Sequence, residues 1–120
     1  MQQKTVMDQA NIISIIRVLE DVRRRPAAYI GSTKPLELWM FLTGFKTACA
    51  ALGLRSGYDA VYDTILIEHG WEPTARAFWI VMSERGLGDL EILNEVLTIE
   101  IETLKRRFNV STPLNAEKKD

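Results

Sequence analysis

Apolar residues Ile12, Ile15, Ile16, Leu19 and Val22 recur at three- and four-residue spacing, which predicts an amphipathic helix from Asp8 or Asn11 to Arg24. Arg23, Arg24 and Arg25 fall at its C-terminal end, where cations complement the helix macrodipole. Ser32 or Thr33 is placed to cap a second helix, with Pro35 near its first turn, Glu37 among its early residues and Gly53 as its C-cap. Leu36, Trp39, Met40, Leu42, Phe45, Ala48, Cys49 and Leu52 give that helix a wide apolar surface, the pattern of a central helix. Gly44 in its interior costs about 1 kcal/mol relative to Ala, so its expected use is to let another helix or an aromatic ring approach closely. Tyr58 to His69 reads as a shorter helix with Val61, Tyr62, Ile65 and Leu66 inward and Gly70 closing it; a strand through residues 64–67 is the competing reading. Pro73 or Thr74 opens another helix carrying Ala75, Phe78, Trp79, Val81 and Met82 and ending at Gly86. Asp89 caps the last one, which runs to about Phe108 with Leu90, Leu93, Val96, Leu97, Ile101, Leu104 and Phe108 on its inner side. Its β-branched stretch 96–101 could alternatively be a strand, but helical spacing continues through Leu104. The expectation is an all-α fold, a compact bundle of four to five helices in one domain over residues 1–108, followed by a polar, flexible tail over 109–120.

Between the first two helices lies Arg25-Pro26-Ala27-Ala28-Tyr29-Ile30-Gly31, too apolar for an ordinary solvated connector. Proline ends the preceding helix, and Gly31 can close a turn with φ > 0. The expected role is a helix-connecting wedge pinned into the core; a direct binding role for Arg25, Pro26, Tyr29 and Gly31 is the alternative.

A chain of 120 residues with 47% hydrophobic and 26% charged side chains has globular rather than disordered composition. No apolar run approaches the roughly 20 residues of a membrane span, so the expected location is cytoplasmic, with no membrane partner. Cys49 is alone and far from the single His69, which leaves no disulfide framework and no thiolate metal site within one chain. The net charge of −1 conceals segregation: residues 1–58 carry +4, residues 59–102 carry −8 and residues 103–120 carry +3. A middle this acidic either spreads its charge over solvated helix faces or steers a basic partner.

No Gly-rich phosphate loop, paired-Cys motif or His-Glu metal signature is present, so neither a cofactor nor catalysis is expected. Were there catalysis, His69 with Glu68 or Glu72 would be the acid-base set; a capping role at the helix end is the simpler reading. Glu91 and Glu95, and Glu95 and Glu102, are spaced to share a helix face, without the Glu-x-x-His element of helical di-metal sites. Trp39, Trp71 and Trp79 read as core.

The block from Val18 to Gly31, with its basic Arg-Pro-Ala-Ala-Tyr-Ile-Gly ending, resembles locally the start of the DNA gyrase B-type ATPase domain. The following helix, Met40-Phe41-Leu42-Thr43-Gly44-Phe45-Lys46, has none of the Asn and acidic residues that hold Mg-ATP in that family. A second likeness spans roughly residues 12–108: Arg25-Pro26, Tyr29-Ile30-Gly31, Gly44-Phe45, Gly70-Trp71 and the Leu- and Phe-rich final helix. In these features the chain is similar to small bacterial immunity proteins of contact-dependent growth-inhibition and polymorphic toxin systems. The family's usual Gly-Met in the turn is Ala27-Ala28 here.

That resemblance implies a protein that binds and neutralises a cognate toxin domain, such as a nuclease, without contacting nucleic acid itself. The acidic middle fits a basic toxin surface, with Asp59, Asp63, Glu68, Glu72 and Glu95 as candidate contacts and Tyr58 and Tyr62 as exposed aromatic anchors. Two other readings stand beside it: a homo-oligomeric (for instance dimeric) helical adaptor, and a small-ligand-binding regulatory domain using the Tyr29 turn and Trp71 as pocket walls.

Overall fold

The computed structural model describes residues 9–54, 56–73 and 76–110. Among them the chain forms six helices and no strand: α1 (Gln9–Arg24), α2 (Pro26–Ile30), α3 (Pro35–Ala51), α4 (Tyr58–Glu68), α5 (Phe78–Glu84) and α6 (Asp89–Arg107). The fold is an all-α bundle, and both segments with a competing strand reading are helical. No described helix is long and apolar enough to cross a membrane.

The helix beyond the expected five is α2, where a core-pinned wedge was expected. Pro26 presets φ for the first position of a helix, and Ala27 and Ala28 are strong helix formers, so the chain restarts a helix directly after α1. It stops at Gly31, whose φ of 80° is left-handed and whose N–H reaches the Ala27 carbonyl at 2.9 Å. None of its residues is buried, and Tyr29 is 46% exposed.

The central helix is α6 rather than α3: it packs against α1, α3, α4 and α5. The buried set Ile92, Leu93, Val96, Leu97, Ile99, Ile101 and Leu104 extends round most of its circumference, although Leu90, expected inside, is exposed. In α3 the apolar residues outnumber the positions that face the core. Leu38, Leu42 and Cys49 are buried, whereas Leu36, Met40 and Leu52 are exposed. Nothing approaches Gly44, where an added Cβ would find open space, so the expected close contact is absent. From α1 come Ile12, Ile16, Leu19 and Val22, all buried as their spacing predicts.

Helix starts depart from expectation in small ways. Lys34, not Ser32 or Thr33, is the N-cap of α3, and Ser32 Oγ accepts the Lys34 N–H at 2.9 Å. Gly88 is the N-cap of α6, with Glu91 reaching back to its N–H at 2.7 Å, which leaves Asp89 in the first turn beside the helix dipole. Helix α5 begins at Phe78; Pro73 lies outside it, and Thr74 and Ala75 fall outside the described residues.

The ends of α3, α4, α5 and α6 share one solution: a 6→1 and a 5→2 backbone bond, then an apolar residue turned inward, namely Leu54, Trp71, Leu87 and Val110. Asn109, at φ 58°, takes the place that glycine holds in the other three. Asn109 and the buried Val110 thus belong to the helical unit, and the rest of the expected tail, 111–120, lies outside the described residues.

Candidate functional site

Helix α3 carries Lys46 on its buried stripe, four residues beyond Leu42 and three before Cys49. Glu100 likewise sits on the inner stripe of α6 that runs through Leu93, Val96, Leu97 and Leu104. The two meet: Lys46 Nζ lies 2.8 Å from Glu100 Oε2, as an ion pair rather than an aligned hydrogen bond. The Glu100 side chain is 1% exposed and that of Lys46 25%. Tyr58 donates its hydroxyl hydrogen bond to the other carboxylate oxygen, Oε1. The ammonium stands 4.8 Å from the centroid of Tyr62, 5.7 Å from Trp39 and 5.9 Å from Tyr58, within cation–π range of all three rings. Tyr62 stacks on Tyr58 with centroids 6.0 Å apart, and burial, opposed by the nearby Lys46 charge, pushes its phenol above the ordinary range.

Beside Lys46 opens a cleft of about 340 Å³, between α3, α4 and the start of α5. Trp39, Tyr62 and Phe78 wall it, Lys46 and Arg76 bring positive charge, and Asp63 contributes one carboxylate. Arg76 also turns both terminal nitrogens to Glu84, at 3.1 and 2.5 Å. The pocket therefore does not use Tyr29 or Trp71 as walls.

Trp71 belongs to a second cluster. The cap of α4 holds Gly70 at φ 90°, and the adjoining residues His69 and Trp71 reach one carboxylate of α6. Trp71 Nε1 donates to Glu95 Oε2 at 2.9 Å, and His69 Nδ1 lies 3.0 Å from the same oxygen. His69 Nε2 lies 3.0 Å from Glu102 Oε1, so Glu95 and Glu102 do share a face and clamp the imidazole between them. Burial acts against a charged His69, but the hydrogen bonds and charges of Glu102 and Glu95 outweigh it and raise its pKa above the ordinary value. His69, the C-cap of α4 as the capping reading has it, is thus held by Glu95 and Glu102 rather than by Glu68 or Glu72, the set that catalysis would have drawn on. Glu68 instead makes a two-pronged pair with Arg106, at 2.9 and 3.0 Å, which holds its carboxyl below the usual range. No group of three or more metal-ligating side chains gathers among the described residues.

The residues singled out from the sequence thus separate. Tyr58 is buried and Tyr62 partly so, because their rings close over Lys46, and neither is an exposed anchor. Glu68 and Glu95 are engaged by structural partners, and Asp59, Asp63 and Glu72 are, like Glu68, exposed. On α4, Asp59, Asp63 and Ile67 follow at four-residue intervals along the outer side, and Ile67 is 60% exposed. Around α2, Asp21 accepts hydrogen bonds from the Tyr29 hydroxyl, from Arg25 at 2.7 Å and from Arg24. These three donors hold its carboxyl far below the ordinary range and make Arg25 and Tyr29 part of a surface clasp between α1 and α2, while Pro26 opens α2 and Gly31 closes it.

Lys46, Glu100 and Arg76 were not singled out by sequence reasoning. The first two carry a legible signal, a charge on an otherwise apolar inner stripe, since such residues are rarely buried unless paired. Comparison with known proteins finds no matching family model, no similar curated protein and no similar solved structure.

Proposed function

We propose that this protein acts by binding, as an immunity-type inhibitor that neutralises a basic toxin domain through the outer face of α4. The observation that carries the reading is the makeup of that face, where Asp59 and Asp63 lead to the exposed Ile67 at helical spacing, with Glu72 following beyond the cap. Carboxylates steer a basic partner toward the surface and fix its register, while an apolar side chain amid a polar rim supplies the buried contact area. The resemblance of the Arg25 to Gly31 block, Gly70-Trp71 and the final helix to immunity proteins supports the same class. Ile67 takes the anchor role that Tyr58 and Tyr62, turned toward Lys46, do not fill.

The test is co-expression of the tagged protein with the C-terminal domain of the polypeptide encoded directly upstream, together with a growth-rescue assay. Co-purification and rescue are expected, with both lost in an Asp59→Lys, Asp63→Lys, Ile67→Ser variant that keeps its unfolding midpoint. Absence of complex and rescue overturns the immunity reading; rescue that survives the triple variant removes α4 from it.

A further inference from the structure

The outer side of α3 is not needed for binding through α4, yet it has a defined shape. Opposite the buried stripe of Leu38, Leu42 and Cys49, the residues Leu36, Met40, Thr43, Thr47 and Ala50 follow at alternating four- and three-residue spacing, the period of a helix-pairing seam. All five are exposed. Both threonines turn their hydroxyls back on the helix: Thr43 donates to the Trp39 carbonyl at 2.9 Å and Thr47 to the Thr43 carbonyl at 2.8 Å. Their donors are thereby satisfied, which leaves the seam apolar in character. The seam also tapers. Its N-terminal half carries large side chains, Leu36 at 52% and Met40 at 63% exposure. Its C-terminal half carries smaller ones, around a hollow of about 260 Å³ lined by Thr43, Thr47, Ala50 and Lys46.

We propose that this face is the interface of a homodimer, in which α3 packs antiparallel on α3 of a second copy across a two-fold axis near Thr43. Leu36 then lies over Ala50 of the partner subunit and Met40 over Thr47 of the partner subunit, so the bulk of each copy enters the hollow of the other. A two-fold axis lets one tapered surface complement itself, which is why a second copy fits without any further matching. Parallel pairing sets bulk on bulk at one end and hollow on hollow at the other, and the resulting void forfeits contact. The seam carries no charge, and the charged residues of α3, Glu37 and Lys46, lie on its opposite edges. In the antiparallel pair the two Glu37 carboxylates stand twelve residues apart along the axis, about 18 Å and beyond a Debye length, so like charges do not oppose it. The seam offers roughly a third of the 20–30 residues a side that a standard interface uses, so the dimer is weak and reversible.

Sedimentation equilibrium of the full chain from about 5 μM to about 1 mM tests the interface, and a monomer–dimer equilibrium with Kd between about 10 μM and 1 mM is expected. Met40→Lys is expected to weaken it by about tenfold or more, with an unchanged unfolding midpoint at the dilute end because the side chain is exposed. Ala50→Leu fills the hollow and is expected to weaken dimerisation by about tenfold. Adding Leu36→Ala to it transposes bulk and hollow, and is expected to restore the parent Kd to within about threefold. A chain that stays monomeric throughout overturns the proposal. A dimer that Met40→Lys leaves intact, or an Ala50→Leu defect that Leu36→Ala does not repair, overturns it as well. Co-purification of the toxin domain is expected to survive Met40→Lys; its loss would assign this face of α3 to the toxin rather than to a second copy. Sedimentation requires no other protein, so failure of this proposal leaves binding through α4 standing, and the reverse holds too.

Discussion

Replacing Lys46 with Met keeps the length and the helix propensity of the side chain while removing its charge, which isolates the ion pair with Glu100. The carboxylate then remains in the core, keeps the Tyr58 hydroxyl on Oε1 and loses the ammonium 2.8 Å from Oε2. Removing one partner from a fully buried pair costs about 3–5 kcal/mol, because the other charge stays uncompensated. Lys46 is 25% exposed, so water already reaches one side of the pair and the expected loss falls to about 2–3 kcal/mol. Against a total stability of about 5–15 kcal/mol this is a large fraction, and it corresponds to a drop in Tm of roughly 10 °C. Urea unfolding followed by circular dichroism measures it at constant m-value. Replacing both residues, Lys46→Met with Glu100→Met, removes the buried carboxylate as well and is expected to recover at least half of the loss. A single variant within about 0.5 kcal/mol of the parent, or a double variant as unstable as the single, would refute the picture of a dry carboxylate held by this cation.

Three further outcomes follow from the fold. The His69 pKa is raised in the fold, so the stabilisation from its clamp is complete below the unfolded value of about 6.5 and is lost as pH rises through the higher folded value. The urea midpoint is therefore expected to fall as pH is raised from about 6.5, and His69→Gln to flatten that slope; because the chain has one histidine, its NMR titration reads the folded pKa directly. Gly44→Ala is expected to stabilise the protein by about 0.5–1 kcal/mol in thermal unfolding, since an added Cβ at this helical position meets nothing, and a loss of stability would mean that something does pack there. Gly70→Ala is expected to cost about 1–2 kcal/mol, because φ of 90° strains any side chain, and to weaken the joint hold of His69 and Trp71 on Glu95, visible as a lowered His69 pKa.

How far the sequence reads through to this structure depends on whether a signal is local. Periodicity locates α1, α3, α4 and α6 because each has an apolar stripe repeated over at least three turns, and the Gly70, Gly86 and Gly53 stops mark where three helices close. It mistakes α2 for a wedge because Arg-Pro reads as a break, although proline also suits the first position of a new helix. It also puts α3 at the centre. Counting apolar residues does not say which of them find a neighbour, and α6, with eight charged residues among nineteen, looks the less apolar of the two.

The charges of α6 are where sequence and fold meet most closely. Glu95 and Glu102 share a face by spacing alone, but nothing in spacing says that the end of another helix will bring an imidazole between them. Glu100 and Lys46 each interrupt an apolar stripe, and each alone reads as a misfit on its own helix. Their separation of 54 residues hides the fact that one misfit answers the other. A buried charge in a helical stripe is thus a reason to search the other helices for a stripe broken by the opposite sign. In this chain that search leads from Glu100 to Lys46, and from Lys46 to the aromatic-walled cleft beside it.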